Sequence, residues 1–357
     1  MLRIGSTLSA RLEVNLNFLI REMTHVRYFV PIAQEGNRRG IKSNFCFVPS
    51  NKYNCPVKHL DVLTKIAEDN SIELFPLEGR EPELKGYFFC SEDSGLEWTK
   101  RVKSFSDCKI IVSTYQTDFI NCYEKYENVA DHIMMPSKSI AEYYKLQGEK
   151  NLYVGIPKYD VSLDKNNIIK KYKLNPHKNK VLVLWPKSRD MHKFPIDIIQ
   201  NFSELGWQVL VKSRAKDPLT ENTKRYLQQN GHAYFYDGWY PHTSQELLEV
   251  SNLVVNCGST TIEECVMHEV PLINFDIKPE VRHGIKQKYR VTHSYLYNYD
   301  FCMNLKSLDP SFNTSKLNAM TQYFLRKDFS DSFSQCKDDW LYGHKNTCKN
   351  LLDVILS

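Results

Sequence analysis

Along the second half of the chain, short apolar runs alternate with amphipathic stretches at regular spacing. Residues 181–184, 209–212, 233–236, 253–256 and 272–275 predict strands, and residues 194–205, 219–229, 244–250 and 261–267 predict the helices between them. The runs are short, rich in Val, Leu and Ile, and flanked by turn residues, as strands buried on both faces are. Strand and helix patterns in strict alternation predict a parallel sheet covered on both sides, because parallel neighbours need a crossover and a helix supplies it.

The first half repeats the theme less cleanly. Residues 2–6 predict a strand and 14–33 a long helix, with Pro31 weakening its end. Strands are predicted at 44–48, 72–75, 86–89, 110–113 and 132–135, and helices at 57–68 and 139–147. Residues 78–103 resist assignment. Residues 153–180 carry Gly155, Pro157 and Pro176 and a Lys/Asn-rich run, the composition of a solvated linker. The expected fold class is therefore α/β, with two Rossmann-like domains: residues 1–175 and residues 176–357, the second also carrying helices at 316–326 and 347–356.

Composition narrows the function. At 357 residues the chain exceeds the roughly 150 residues of one ordinary domain. With 42% hydrophobic and 25% charged residues it reads as soluble and globular. Its start lacks a basic segment followed by an apolar core, and no apolar run approaches the roughly 20 residues of a membrane span, so a cytoplasmic protein without a transmembrane segment is expected. The ten cysteines are scattered, with no CxxC and no paired histidine spacing, and read as reduced core thiols with no metal site. A net charge of +5, with cations interspersed among acids, argues against nucleic acid as a partner.

The most informative stretch is 253–276, LVVNCGSTTIEECVMHEVPLINFD. A strand enters the small-residue turn Gly258-Ser259-Thr260-Thr261, a short helix carries Glu263 and Glu264, and a second strand, 272–275, is followed directly by Asp276. Free amides at a helix start favour an anion such as a diphosphate, and Glu264 is placed to accept from a ribose diol. Any strand–helix–strand crossover also needs such a turn, and an acid in the first helical turn is favoured with no ligand at all. Both readings stand at this level. Asp237-Gly238-Trp239-Tyr240-Pro241 follows the third strand, where either ring suits a nucleobase or a local core. Lys187, Ser188 and Arg189 follow the first strand of this half, and Lys212 and Arg214 the second; they suit a departing diphosphate or solvent.

These features together resemble the GT-B glycosyltransferases, in the branch that includes CDP-glycerol glycerophosphotransferases and UDP-N-acetylglucosamine 2-epimerases. GIPKYD, residues 155–160, resembles the G-x-P-x-x-D that ends their first domain, and residues 237–276 resemble their donor region. The resemblance implies a first domain for the acceptor and a second for the donor, with the last helices crossing back to the first. It implies that Gly258, Ser259, Thr260 and Thr261 hold the donor diphosphate, that Glu264 takes the ribose, and that Asp276 meets the transferred sugar. No cofactor is then required beyond the nucleotide-diphosphate sugar itself.

Two departures narrow the chemistry. Pro186-Lys187-Ser188-Arg189-Asp190 stands where the epimerases carry His-Arg-Arg-Glu, and residues 212–218, KSRAKDP, stand where the glycerophosphotransferases carry Lys-x-His-Pro. Sugar transfer to a glycan or other hydroxyl acceptor is the expectation that remains. An inverting reaction needs a base, for which Glu13, Glu92, Asp93 and Asp118 are candidates on first-domain loops, Asp93 being favoured. A GT-B-shaped nucleotide-binding protein without catalysis is the alternative of different class. His25, placed within the first helix, reads as structural.

Overall fold

The structure, a computed structural model, describes residues 14–91, 95–113, 123–186, 194–214, 218–236, 238–257, 261–276, 296, 298–306, 314–341 and 346–357. Within them lie two parallel sheets. The first contains β1 (Asn15–Ile20), β2 (Lys42–Phe47), β3 (Glu73–Pro76), β4 (Tyr87–Ser91), β5 (Lys109–Ser113), β6 (His132–Met135) and β7 (Asn151–Tyr153), in the order β3-β2-β1-β4-β5-β6-β7. The second contains β8 (Lys180–Leu184), β9 (Gln208–Lys212), β10 (Ala233–Phe235), β11 (Leu253–Asn256), β12 (Leu272–Asp276) and β13 (Cys302–Lys306), in the order β10-β9-β8-β11-β12-β13. Both are doubly wound, with the strand order reversing beside β1 and beside β8. At such a reversal the crossovers leave to opposite faces and open a crevice at the carboxyl ends of the strands.

The helices are α1 (Val26–Arg38), α2 (Leu60–Asp69), α3 (Leu96–Phe105), α4 (Tyr123–Glu127), α5 (Lys138–Tyr143), α6 (Lys165–Lys171), α7 (Phe194–Glu204), α8 (Glu221–Gln229), α9 (Thr243–Glu249), α10 (Ile262–Met267), α11 (Thr314–Arg326), α12 (Ser330–Trp340) and α13 (Thr347–Leu356). The predicted second-half strands are all present, and β13 adds a sixth that the pattern did not mark.

The first half corrects the sequence reading. The helix expected over 14–33 is divided: residues 15–20 form β1, an interior strand of the first sheet, and the helix starts only at Val26. Long-range partners decide the matter, because Asn17 serves a strand. Its Nδ2 donates to the carbonyls of Lys85 and Tyr87 at 2.9 and 3.0 Å, and its Oδ1 accepts from Asn44 Nδ2 at 2.8 Å. Pro31 sits inside α1 and does not end it. Burial of Phe29, Ile32 and Ala33 holds the helix through the lost backbone bond. Residues 153–180 are not simply a solvated linker, since they begin at the last residue of β7 and contain a buried 3-10 turn at Pro157–Tyr159 and α6, which Asp164 caps. The strand expected at 2–6 lies outside the described residues.

Phe18 anchors the core under α1, fully buried with its ring 5.3 Å from Phe29 and 5.0 Å from Phe89. One buried apolar cluster includes residues of both sheets as well as Ile156, Tyr159 and Leu351. In the second sheet, Asn256, Asn274 and Asn304 stand opposite one another across β11, β12 and β13. Their carboxamides are joined Asn256 to Asn274 and Asn274 to Asn304 at 2.7 Å each. The nine described cysteines are buried and unbridged.

Candidate functional site

The second sheet reverses between β8 and β11, and the chain that leaves β11 forms the predicted site. Asn256 and Cys257 are buried, Gly258, Ser259 and Thr260 lie outside the described residues, and Thr261 is the N-cap of α10. α10 is six residues long and buried throughout, so both of its acids are held inside the protein. Such carboxylates require partners.

Those partners come from the segment 155–160. Gly155 adopts a positive φ of 93°, which turns the chain after β7, and Pro157 opens a one-turn 3-10 helix. Lys158 Nζ reaches Glu264 Oε1 at 3.3 Å, and Tyr159 OH donates to Glu263 Oε1 at 2.7 Å. Asp160 Oδ2 accepts from the backbone N–H of Cys348 at 2.6 Å, capping α13, whose far end receives the hydroxyl of Tyr87 on the carbonyl of Ile355. Arg39, which caps the end of α1, pairs with Asp353 at 2.8 Å, so α13 is bound to the first half along its length. Three consecutive side chains thus grip α10 twice and α13 once.

Glu264 has further polar company. His242 Nδ1, just before α9, lies 3.8 Å from Glu264 Oε1, and Arg27 in the first turn of α1 adds its field. Burial by itself would push the Glu264 carboxyl up; Lys158, His242 and Arg27 outweigh it and hold it at about 2. The carboxylate is ionised, 5% exposed as a residue, and its Oε2 has no hydrogen-bond partner among the described residues. A buried charged oxygen without a donor costs of the order of 1–3 kcal/mol, and a ligand hydroxyl is a natural remedy. Burial, followed by the nearby Glu263 and Glu264 charges, keeps the Tyr159 phenol far above its usual range, a neutral donor at any ordinary pH.

The loop after β10 lies against the first half. The Trp239 ring is 5.5 Å from that of His59, which in turn lies 6.0 Å from Tyr53, and Tyr240 OH donates to Gln34 Oε1 at 3.3 Å. Lys212 closes β9, nearly buried, with Arg214 two residues on and half-buried. Asp276 ends β12, in register with Lys306 of β13. Lys187, Ser188 and Arg189 lie outside the described residues, as do Glu13, Glu92, Asp93 and Asp118. Among the described residues, Glu22 follows β1, buried and bonded to Lys52 and Asn54. His25 precedes α1 and is fully buried, with Nδ1 3.2 Å from the Leu19 carbonyl.

Sequence reasoning missed Lys158, His242 and Arg27. Lys158 was inside the quoted GIPKYD, at a variable position of the motif, and the Lys/Asn-rich composition around it suggested solvent. A lysine directly after proline in a segment otherwise apolar from Val154 was the available signal.

No protein-family model matches the chain, and no curated protein matches it in sequence. Among solved structures it is similar to the wall teichoic acid polymerase TagF, at 10% identity over 96% of this chain and 88% of that one, with a TM-score of 0.66. It is similar also to a Listeria monocytogenes protein assigned as a UDP-N-acetylglucosamine 2-epimerase, at 11% identity over 97% and 96% of the two chains and a TM-score of 0.65. A third is the spinosyn rhamnosyltransferase SpnG complexed with thymidine diphosphate, at 9% identity over 96% and 99% and a TM-score of 0.54. Identities this low carry the architecture and nothing finer. With its two doubly wound parallel sheets, the chain has the GT-B fold of glycosyltransferases and of their epimerase and polymerase neighbours.

Proposed function

We propose that this protein is a glycosyltransferase that moves a sugar from a nucleotide-diphosphate donor to a hydroxyl of a glycan, without a metal cofactor. The observation that carries the reading is Glu264: an ionised, buried carboxylate at the strand-order reversal of the second sheet, with one oxygen anchored and the other lacking a donor among the described residues. A vicinal diol supplies two hydroxyl donors to such an oxygen, and ribose carries one. The SpnG neighbour was determined with a nucleoside diphosphate, which agrees with that class of ligand.

In this reading the amides of Gly258, Ser259, Thr260 and Thr261 take the diphosphate, and Lys187, Arg189, Lys212 and Arg214 neutralise the charge that builds on it as the glycosidic bond breaks. Asp276 meets hydroxyls of the sugar, and Trp239 or Tyr240 flanks the base. The acceptor oxygen attacks the anomeric carbon while a first-half carboxylate, Asp93 before Glu92 or Asp118, takes its proton.

Titration calorimetry with UDP, GDP and CDP tests the donor site. Replacing Glu264 by Ala should weaken binding by about 10- to 100-fold, the worth of hydrogen bonds to a charged acceptor. Unchanged affinity, or no binding of any of the three by the wild-type chain, refutes the assignment. Donor hydrolysis or transfer then separates an enzyme from a silent nucleotide-binding protein.

A further inference from the structure

We propose that Lys158 is a positioning residue of the nucleotide site: it holds Oε1 of Glu264 so that Oε2 is presented to the ribose diol. The inference rests on the nucleotide reading above and adds a residue that neither the sequence motif nor the fold assigns.

Lys158 is 4% exposed, and an ammonium withdrawn from water is costly unless a specific partner and a rigid setting compensate it. Both are present. Its Nζ lies 3.3 Å from Glu264 Oε1 and 4.8 Å from the centre of the Tyr159 ring. Its backbone carbonyl accepts from Gln245 Nε2 at 2.6 Å, Pro157 fixes the preceding dihedral, and the next two side chains are tied to Glu263 and to the start of α13. The lysine stem therefore leaves from a fixed point. A carboxylate is planar, so holding Oε1 also sets the direction of Oε2, the oxygen without a partner. The positive charge has a second effect. Only an ionised carboxylate offers acceptors at both oxygens, and Lys158 is the largest of the cationic influences that keep Glu264 ionised against its burial. Lys158 does not itself touch the ribose in this scheme; it fixes the group that does, as a second shell of contacts fixes a designed site.

The test compares UDP, GDP and CDP with their 2′-deoxy counterparts by calorimetry on the full chain. A site in which Glu264 accepts from the diol should prefer the ribonucleotide by about tenfold or more, since the deoxy form removes a hydrogen bond to a charged group. Lys158→Met should bring that ratio to within about threefold of unity, chiefly by weakening the ribonucleotide. A purely structural lysine would lower both affinities and the melting temperature together and leave the ratio alone. Should Lys158→Met not fold, Lys158→Ala, which likewise leaves Oε1 without its donor, is read with the same expectation. A wild-type ratio retained in the variant, while Glu264→Ala abolishes it, overturns the role of Lys158 and leaves the nucleotide site standing. Absence of nucleotide binding, or of discrimination, in the wild-type chain overturns both.

Discussion

Removing the Lys158 ammonium should unbalance the interior of the protein, and the structure sets the size of the effect. At 3.3 Å, with an effective dielectric constant of about 20, opposite unit charges attract by about 5 kcal/mol. That attraction offsets the desolvation of two side chains that are 5% and 7% exposed. Lys158→Met leaves Glu264 buried without its ion-pair partner, with the weaker influences of His242 and Arg27 remaining, and breaking such a pair from one side costs about 3–5 kcal/mol. Glu264→Leu strands the lysine in the same way. The double variant removes both charges and should lose much less than the sum of the singles, with a coupling of about 2 kcal/mol or more. Urea unfolding of the four proteins at neutral pH measures this. Single-variant losses that add to within about 0.5 kcal/mol in the double variant would refute the coupling. The pH dependence gives an independent check. In the wild-type chain the Glu264 carboxyl sits at about 2 against an ordinary 4.5, so its contribution is fully present above pH 4.5 and is lost as the pH falls towards 2. In Lys158→Met, burial gains ground and the carboxyl rises, so the penalty is greatest near neutrality. The stability gap between the two proteins should therefore narrow on acidification.

Four other outcomes follow from the packing. Gly86 has a φ of +82°, and a Cβ there would lie 2.5 Å from the Asn15 carbonyl oxygen, so Gly86→Ala should cost about 2–4 kcal/mol in chemical denaturation. Asp160→Ala removes the acceptor for the Cys348 N–H and should cost about 1–2 kcal/mol, with Asp160→Asn, which keeps an acceptor, costing less. Phe18→Ala empties the centre of the first core and should cost about 3–5 kcal/mol, seen as a shift in the denaturation midpoint. Burial pushes the Cys257 thiol up to about 12, so mass spectrometry after maleimide labelling at pH 8 should find it unmodified in the native chain and modified after unfolding.

The second sheet was legible because its strands announce themselves: Val-Leu-Val-Leu at 181–184 can hardly be anything but a buried strand between helical patterns. Strand β1 was not, because Asn15 and Asn17 break the apolar run and the following residues to Arg38 carry a helical stripe that extends backward over it. What makes it a strand is tertiary, the carbonyls of Lys85 and Tyr87 waiting for Asn17. β7 and β13 escaped for a related reason, being edge strands of three and five residues whose neighbours supply most of their definition. At the site, Glu264 could be found from local spacing after β11. Lys158 left only its place after Pro157 in an apolar segment as a sign, since 106 residues separate it from its partner and the composition that follows argued for solvent.

The paired asparagines have a consequence for how the second sheet finds its alignment. A strand covered on both faces lacks the inside–outside alternation that penalises a shift in half-exposed sheets, so apolar side chains alone would tolerate several offsets of β12 against its neighbours. Asn256 and Asn274, joined to Asn304, remove that degeneracy: displacement by a single residue would set the two buried carboxamides against apolar neighbours such as Val255, Ile273 or Phe275 and leave buried donors empty, at about 1–3 kcal/mol for each. Replacing Asn274 with leucine would thus endanger uniqueness of pairing more than compactness. Because β11 launches the Glu264 helix, an offset there would carry the whole proposed binding apparatus with it.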